Sequence, residues 1–262
     1  MYDYYSLKKT DKSDSFVPSD NMSVNGTPLN QLVEGYRHLT VTGRGIIGQR
    51  VKTQEIRGRR GLWVDDISDP ERELEIKYRL EAQTSEELRE RFAKMNKVLR
   101  TVSENGFLEI IFKDEPDYIY YGYLLNAEDI EETKLSLISK FTLLVPDGYK
   151  KKKAQSSTGL ISLVDAIQVL PEKIVVQATG TVNQIQIVNG DKILDFKGSY
   201  SAGTDIIITY GSDEVKATYS GRNILSELQL YSPLETFYLK NSDRVTAKNA
   251  TIKQIIWRDE RL

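Results

Sequence analysis

Three glycines near residue 45 have the spacing of a dinucleotide-binding turn. Gly43, Gly45 and Gly48 fit the pattern G-x-G-x-x-G after a short strand-like run, and Asp65 lies about 20 residues further on. A dinucleotide site needs a helix directly after the glycines, because the helix N-terminus binds the pyrophosphate. Residues 49–61 instead contain β-branched residues and glycine, which favour a strand and a turn. The pattern therefore predicts no nucleotide cofactor.

Two neighbouring carboxylates, Asp114 and Glu115, could act as the acid and base of a glycoside hydrolase. They are followed by Pro116 and Asp117 and lie between two predicted strands. Proline and aspartate are also the residues that build tight turns, and that interpretation needs no chemistry. The segment therefore predicts a hairpin turn.

Other catalytic groups are scarce in this chain, because its 262 residues include no cysteine and one histidine, His38. Disulfides, thiolate metal sites and cysteine nucleophiles are thereby excluded, and a Ser-His-Asp arrangement could use His38 alone. His38 follows no nucleophile elbow, so we expect it to be a structural or interface residue. We predict that the protein is not an enzyme and has no cofactor and no metal site.

Two groups of residues could instead form a binding surface. Basic residues dominate residues 44–60 and could contact phosphates or an acidic neighbouring subunit, although a solvated hairpin rim is the alternative. Tyrosines cluster in one predicted strand and suit a subunit interface, although an edge strand with ordinary core packing is an equal alternative. Trp63 and Trp257 could likewise stack on sugars or lie in the core. The candidate interface residues are Tyr118, Tyr120, Tyr121, Tyr123, Arg44, Arg57, Arg59 and Arg60.

The composition is that of a folded protein, since 39% of the residues are hydrophobic, 28% are charged, and glycine and proline are near ordinary levels. The sequence has no run of about 18 apolar residues, and its start alternates charge with tyrosine. We therefore expect neither a membrane span nor a secretion signal, and assembly in a cytoplasm. No membrane partner is expected either, and because each half is close to neutral we predict no specific nucleic acid partner.

In the first half, one helix stands out against a background of strands. Thr84 and Glu87 form a capping box, and apolar residues then recur at helical spacing, which predicts a helix over residues 85–104 that stops at Asn105-Gly106. Alternating or apolar runs predict strands at residues 72–80, 108–112, 118–125 and 135–145. This half is therefore α+β and mostly β.

Four consecutive lysines, residues 150–153, mark the strongest break in composition and predict a solvated linker. The predicted domains are residues 1–153 and 154–262. The second domain is all-β, a sandwich or barrel, with Asn189-Gly190 as a hairpin turn and an isoleucine run at 206–208 in the centre of a sheet. Strands are predicted at residues 173–178, 181–188, 192–196, 205–210, 214–220, 235–239, 245–247 and 251–257.

The order of these features resembles the distal tail protein (Dit) family of phages with long, non-contractile tails. A polar, tyrosine-rich start precedes the Gly43 turn, the single helix, a "DEP…Y" turn and a "PDPY"-like end of the first domain. Gly148 stands in place of the second proline of that ending. The matching residues are Asp114, Glu115, Pro116 and Tyr118, then Pro146, Asp147 and Tyr149, then Thr179-Gly180-Thr181 and Asn189-Gly190-Asp191 in the second half.

The resemblance implies a mostly β protein with minor α content. Its first domain, α+β or a β-sandwich with one helix, would close into a ring, typically a hexamer, and its second would be a galectin-like β-sandwich. The implied role is structural: a virion protein at the tail tip, assembled in the host cytoplasm, that joins the tail tube to the tail-tip hub and adhesion device.

The partners that the resemblance implies are further copies of the chain, the tail-tube protein, the tail-tip hub or tail-associated protein, and receptor-binding or baseplate proteins. A carbohydrate-binding module of the host-adhesion apparatus is the alternative function, motivated by the β-sandwich half and its aromatic residues.

Overall fold

The computed structural model describes residues 17–130, 134–211 and 214–262 of the 262-residue chain. The polar, tyrosine-rich start of the sequence lies outside the described residues. Contacts divide the chain into two compact units, Met1–Lys150 together with Leu262, and Lys151–Arg261. These are called the amino-terminal and carboxy-terminal units below. The two-domain division at residue 153 stays a prediction.

The amino-terminal unit is a twisted antiparallel sheet with one long helix against it. Its main sheet has the strand order β2-β1-β7-β8-β9-β6-β3. The strands and helices of this unit are β1 (Met22–Val24), β2 (Thr27–Pro28), α1 (Leu29–Leu32), β3 (Tyr36–Thr42), β4 (Arg50–Glu55), β5 (Leu62–Ser68), β6 (Arg72–Glu81), α2 (Ser85–Arg100), β7 (Leu108–Phe112), β8 (Tyr118–Ala127) and β9 (Ser136–Val145).

Alternation of side chains gives the main sheet two different faces. In β9 the odd-numbered residues Leu137, Phe141 and Leu143 are buried, whereas the even-numbered residues are exposed or half-buried. The buried side packs with Leu88, Met95 and Leu99 of α2 in a single hydrophobic core, which we call the core face. The opposite side is called the outer face.

Helix α2 begins as the sequence predicts and ends earlier. Thr84 Oγ1 accepts a hydrogen bond from Glu87 N, and Glu87 Oε2 accepts one from Gln83 N, which is 2.6 Å away. The helix stops at Arg100, so the predicted end at residue 104 was wrong. Asn105-Gly106, with a φ of 84° at the glycine, instead forms the turn that leads into β7.

The carboxy-terminal unit is built of packed antiparallel sheets with orders β11-β21-β13-β16-β17-β18 and β15-β14-β20, and a short β12-β19 pair. Strand β10 (Lys150–Lys152) begins at the last residue before the boundary between the units. The strands that lie wholly in the carboxy-terminal unit are β11 (Gln155–Ser157), β12 (Gln168–Val169), β13 (Lys173–Ala178), β14 (Val182–Asn189), β15 (Lys192–Tyr200), β16 (Asp205–Tyr210), β17 (Val215–Tyr219), β18 (Arg222–Asn223), β19 (Leu239–Lys240), β20 (Thr246–Lys248), β21 (Ala250–Trp257) and β22 (Glu260–Arg261).

The mostly β fold with minor helix is confirmed. Strand β16 lies between β13 and β17, which places the isoleucine run at the centre of its sheet as predicted. Residues 235–239 were predicted as a strand, but 235 and 236 end a short 3-10 helix, Leu234–Thr236, and only Leu239 belongs to a strand. Among the described residues, no helix has the length and apolar character needed to cross a membrane.

The four-lysine segment is not a solvated linker, so that prediction was wrong. Lys150 is only 6% exposed, and residues Lys150–Lys152 form strand β10. Lys150 Nζ lies 2.6 Å from Glu115 Oε1, and Lys152 Nζ lies 2.5 Å from Asp165 Oδ2. These carboxylates are distant in sequence, so the local run of like charges gave no sign of them.

Candidate subunit interface

A β-hairpin stands apart from the core of the amino-terminal unit. Among the described residues, strands β4 and β5 pair only with each other, as a two-stranded sheet, and every residue of both strands is exposed. We call residues 50–68 the arm. The segment that follows the G-x-G-x-x-G pattern is therefore a β-hairpin and not the helix that a nucleotide-binding turn requires.

The register of the arm gives it one apolar face. Val51 faces Ile67, Thr53 faces Val64 and Glu55 faces Leu62 across the strands. The apolar side chains of this set, Val51, Leu62, Val64 and Ile67, are between 48% and 59% exposed. An isolated two-stranded hairpin is only marginally stable in water, so an apolar face of this kind indicates a surface that another molecule covers.

The tip of the arm carries the basic residues predicted from the sequence. Arg57, Arg59 and Arg60 lie in the exposed turn between β4 and β5. The Arg59 guanidinium stacks on the ring of Trp63, with 4.7 Å from Cζ to the ring centroid. Within the described residues, no carboxylate pairs with any of these three arginines. The tip is thus a positive surface without internal neutralisation.

The root of the arm is held by one buried arginine, Arg72, which is 2% exposed. Its guanidinium donates to the carbonyl oxygens of Gly43 at 2.6 Å, Gly45 at 3.2 Å and Gly148 at 2.9 Å. Gly43 has a φ of 91°, and a Cβ there would lie 1.9 Å from the carbonyl oxygen of Glu73. The first glycine of the possible nucleotide motif is therefore required by a tight backbone crossing, whereas a Cβ at Gly45 or Gly48 would meet nothing within 4 Å.

Arg44 is not available to a partner in the way the sequence suggested. Its guanidinium makes a two-pronged ion pair with Asp114, with N–O distances of 2.7 and 2.8 Å, and lies 4.7 Å from the centre of the Phe112 ring. Lys150 Nζ binds Glu115 and lies over the Tyr118 ring. The turn predicted at residues 114–117 is present, and its carboxylates are used to hold cations of the same unit.

The tyrosine cluster divides between the two faces of the sheet. Tyr120 is buried in the core against Phe112, so it is not an interface residue of the folded unit. Tyr121 and Tyr123 lie on the outer face beside Phe107, and Tyr123 is the more exposed. The even and odd positions of one strand therefore have different uses, as the side-chain alternation requires.

Two exposed apolar side chains that the sequence did not reveal lie in the second half of β8. They are Tyr123, which is 41% exposed, and Leu125, which is 49% exposed and lies at a bulge. Ile138 is also exposed on the outer face, but it lies six residues along β9 from Leu144, the residue opposite Tyr123. Glu128 and Asp129 follow β8 directly and are exposed. The alternation of residues in β9 could have indicated that Ile138 lies on the face opposite Leu137. The sequence does not show, however, which of the two faces is exposed.

The remaining candidates have structural roles. Trp257 is 2% exposed, and its Nε1 donates to the carbonyl oxygen of Ser162, so it cannot stack on a sugar. His38 is buried, with Nε2 3.5 Å from Asp20 Oδ2. Burial opposes ionisation of Asp20, but its contact with the His38 imidazole holds the pKa of that carboxyl below its usual value.

The carboxy-terminal unit contains a buried carboxylate that also binds backbone. Asp259 is fully buried and accepts hydrogen bonds from the backbone N–H groups of Val164 and Ala166, each at 2.9 Å, and of Asp165. Burial opposes its ionisation, but these hydrogen bonds and Lys152 hold the pKa of Asp259 below its usual value. Among the described residues, no group of three or more potential ligands comes together as a metal site.

Comparison with known proteins supplies the fold class. The sequence matches no protein-family model and no curated protein. Among solved structures, the crystal structure of the Dit protein (gp 19.1) of phage SPP1 matches with a TM-score of 0.72 and 18% identity, and the match covers 92% of this chain and 99% of that one. The chain therefore has the fold of a phage distal tail protein. SPP1 Dit itself is described as a paradigm of the hub adsorption apparatus in phages that infect Gram-positive bacteria.

Chains of the phage p2 baseplate in its activated conformation, solved with Sr and with Ca, match less well. Each is 10% identical and has a TM-score of 0.46, and each match covers 87% of this chain and 91% of that one. These scores are below the level that supports a shared fold.

Proposed function

We propose that this protein is a structural virion protein of a phage with a long, non-contractile tail. In this proposal it forms a ring, hexameric as in the implied family, at the distal end of the tail. The observation that carries the proposal is the correspondence of fold with SPP1 Dit, which extends over 92% of this chain and 99% of that one. A match of that extent leaves little of either chain outside the shared architecture.

The proposal assigns no enzymatic activity to the protein. Asp114 and Glu115, the carboxylates with the best spacing for catalysis, are ion-paired to Arg44 and Lys150. His38 is buried beside Asp20 and Tyr36. These three candidate catalytic groups thus have structural contacts within their own unit.

The proposed partners are further copies of this chain, the tail-tube protein, the tail-tip hub, and baseplate or receptor-binding proteins. The location is the tail tip of the virion. The ring interior would have to pass DNA, so we expect the arm tip not to act as a tight phosphate clamp. Strong DNA binding that weakens steeply with salt would contradict this expectation.

Size-exclusion chromatography with light scattering and negative-stain electron microscopy of the full chain test the proposal. We expect ring-shaped oligomers, either from the protein alone or after mixing with the tail-tube or hub protein of the same phage. A species that stays monomeric in all of these mixtures would rule out the ring.

The alternative function is a carbohydrate-binding module. Trp257, the aromatic residue proposed to stack on a sugar in the second half, is buried and therefore does not support it. Its test is titration with cell-wall saccharides at millimolar concentration, for which we expect no binding.

A further inference from the structure

We propose that one loop of the carboxy-terminal unit is a docking site for a protein partner with an acidic rim. The site consists of residues 160–170, called the apolar loop below, together with Lys240 and Arg244. Its occupant is an apolar surface, bordered by carboxylates, on another protein of the tail tip. This inference rests on the proposed function, because that function supplies the neighbouring proteins.

Four aliphatic side chains of the apolar loop are exposed to solvent. Val164 is 78% exposed and Ile167 is 89% exposed. The two flanking leucines, Leu160 and Leu170, are exposed as well. Single exposed aliphatic residues are common on proteins, but four of them within eleven residues form a surface that gains from leaving water.

The apolar loop is anchored to the body of its unit. Three consecutive N–H groups, those of residues 164–166, donate to the buried carboxylate of Asp259 at 2.9, 3.1 and 2.9 Å. Leu163 N donates to Asn241 Oδ1 at 3.1 Å. Buried residues alternate with the exposed ones and pack in the core: Ile161, Leu163 and Val169. A surface that is fixed in this way loses little conformational entropy when a partner binds.

Two cross-strand pairs connect the loop to the cations beside it. Leu160 lies opposite Arg244 and Gln168 lies opposite Lys240, so the members of each pair share one face. All four of these residues are exposed. Asp243 N donates to the carbonyl oxygen of Lys240, which closes a turn that keeps the Cα atoms of these two residues within about 7 Å. The two pairs therefore belong to one continuous surface.

The charges of this surface indicate the kind of partner. Within the described residues, no carboxylate forms an ion pair with Lys240 or Arg244. Asp243, which lies in the turn between them, accepts hydrogen bonds from Lys240 N at 2.8 Å and from Asn189 Nδ2 at 2.7 Å. Carboxylates on a partner would neutralise the two cations and would set the orientation of docking.

The same features argue against two other occupants. If the apolar loops of two copies packed on each other about a two-fold axis, Lys240 and Arg244 of both copies would come together and repel. Loops that bind a lipid surface combine many cations with tryptophan or tyrosine, and the apolar loop contains no aromatic residue. A protein surface with carboxylates is the occupant that fits this chemistry.

The test is a binding titration with the full-length protein. The probes are the purified tail-tube, hub, baseplate and receptor-binding proteins of the same phage, each measured separately by calorimetry. We expect one of them to bind, and its affinity should fall at least about tenfold in the double variant Val164→Ser/Ile167→Ser. The charge reversal Lys240→Glu/Arg244→Glu should weaken binding of the same protein, and this loss should be smaller at high salt.

Matched controls come from the same unit. Leu230→Ser removes a fully exposed aliphatic side chain outside the apolar loop and should leave the affinity unchanged. Lys197→Glu/Lys253→Glu reverses two exposed cations outside the surface and should change the affinity less than twofold. All substituted side chains are exposed, so every variant should keep the thermal midpoint of the unmodified protein.

The outcomes distinguish this inference from the proposed function. The docking site would be overturned if every protein that binds did so equally well in both loop variants, or if none bound the unmodified chain although rings formed. Binding to phosphatidylglycerol vesicles, or self-association, that only the loop variants lose would also overturn it, in favour of a lipid surface or a second copy. Absence of rings under every mixing condition would overturn the proposed function itself.

Discussion

Arg72 lies under the root of the arm and binds three carbonyl oxygens, those of Gly43, Gly45 and Gly148. A guanidinium can reach several carbonyls at once because its five donors are fixed in a plane, whereas the lysine ammonium is a compact point charge. The residue therefore joins the start of the arm to the turn after β9.

Arg72→Lys should destabilise the protein by about 2–3 kcal/mol, because at least one buried carbonyl oxygen loses its donor. Urea unfolding would measure the change in the free energy of unfolding. Arg79→Lys is the control, since Arg79 pairs with Glu81 and Ser136 near the surface. Equal stability of the two variants would show that the Arg72 hydrogen bonds contribute nothing.

Asp259 predicts a dependence of stability on pH. Its pKa is lowered in the folded protein, so folding favours the ionised form, and the stabilisation is present above the unfolded-state value of about 3.9. It should be lost as the pH falls through the folded-state pKa. Asp259→Asn should cost about 2 kcal/mol at pH 7 and should flatten the loss of stability in acid.

The measurement for Asp259 is urea unfolding between pH 3 and pH 7. Asp191→Asn is a suitable comparison, because Asp191 is an exposed carboxylate in the β14–β15 turn. An Asp259→Asn profile parallel to that of the unmodified protein would contradict the assignment.

At the scale of single residues, the sequence indicated which residues were candidates for catalysis or an interface, but it did not indicate the residues with which they pair. Asp114 and Glu115 were correctly assigned to a turn from Pro116 and the flanking strands. Their pairing with Arg44 and Lys150 spans 70 and 35 residues, and no local pattern encodes contacts of that separation. Arg44 was proposed as an interface residue for the same reason, since a charged residue in a basic stretch looks exposed until its partner is known.

At the scale of elements, α2 shows how a short signal fixes a boundary. Thr84 accepts from Glu87 N, and the acidic residues Glu86 and Glu87 lie in the first turn, where they favour the helix dipole. Thr84→Ala should lower the stability of the amino-terminal unit by about 1 kcal/mol. Ser85→Ala, one residue along and exposed, should change it by less than half as much. Thermal unfolding would compare the two, and equal losses would argue against the cap.

Strands were predicted well wherever one face is buried. Residues 108–112, 173–178 and 205–210 coincide with β7, β13 and β16, because alternating or continuous apolar side chains record burial directly. The glycines and charges of the arm indicated a hairpin rim, but the sequence did not show that this hairpin packs outside the core. A strand that packs only against another molecule carries the same β-branched residues as a strand that packs against the core of its own chain.

At the scale of the whole molecule, the mostly β architecture and the order of motifs were enough to indicate the fold, which the match to SPP1 Dit confirms. The four-lysine segment was the main error. Consecutive lysines are expected to be solvated unless carboxylates neutralise them. Here Lys150 pairs with Glu115, and Lys152 pairs with Asp165 and Asp259. Only the folded chain brings these groups together.

This correction predicts where the carboxy-terminal unit must begin if it is to fold alone. Strand β11 pairs with β21, Ser156 opposite Ile256, and Lys152 neutralises the buried Asp259. A fragment of residues 151–262 should therefore unfold cooperatively. A fragment of residues 160–262 lacks both contributions, and we expect its thermal midpoint to be lower by about 10 °C, corresponding to roughly 2 kcal/mol in a domain of this size.

A third fragment, in which residues 151–159 are replaced by glycine and serine at the same length, separates contacts from chain length. It should behave like the shorter fragment, because it keeps neither the β11 side chains nor Lys152. If all three fragments unfolded at the same temperature, residues 151–159 would be a linker after all. If only the lysine-free fragments were destabilised, and only at neutral pH, the Lys152–Asp259 ion pair would account for the effect, because protonation of Asp259 in acid removes it.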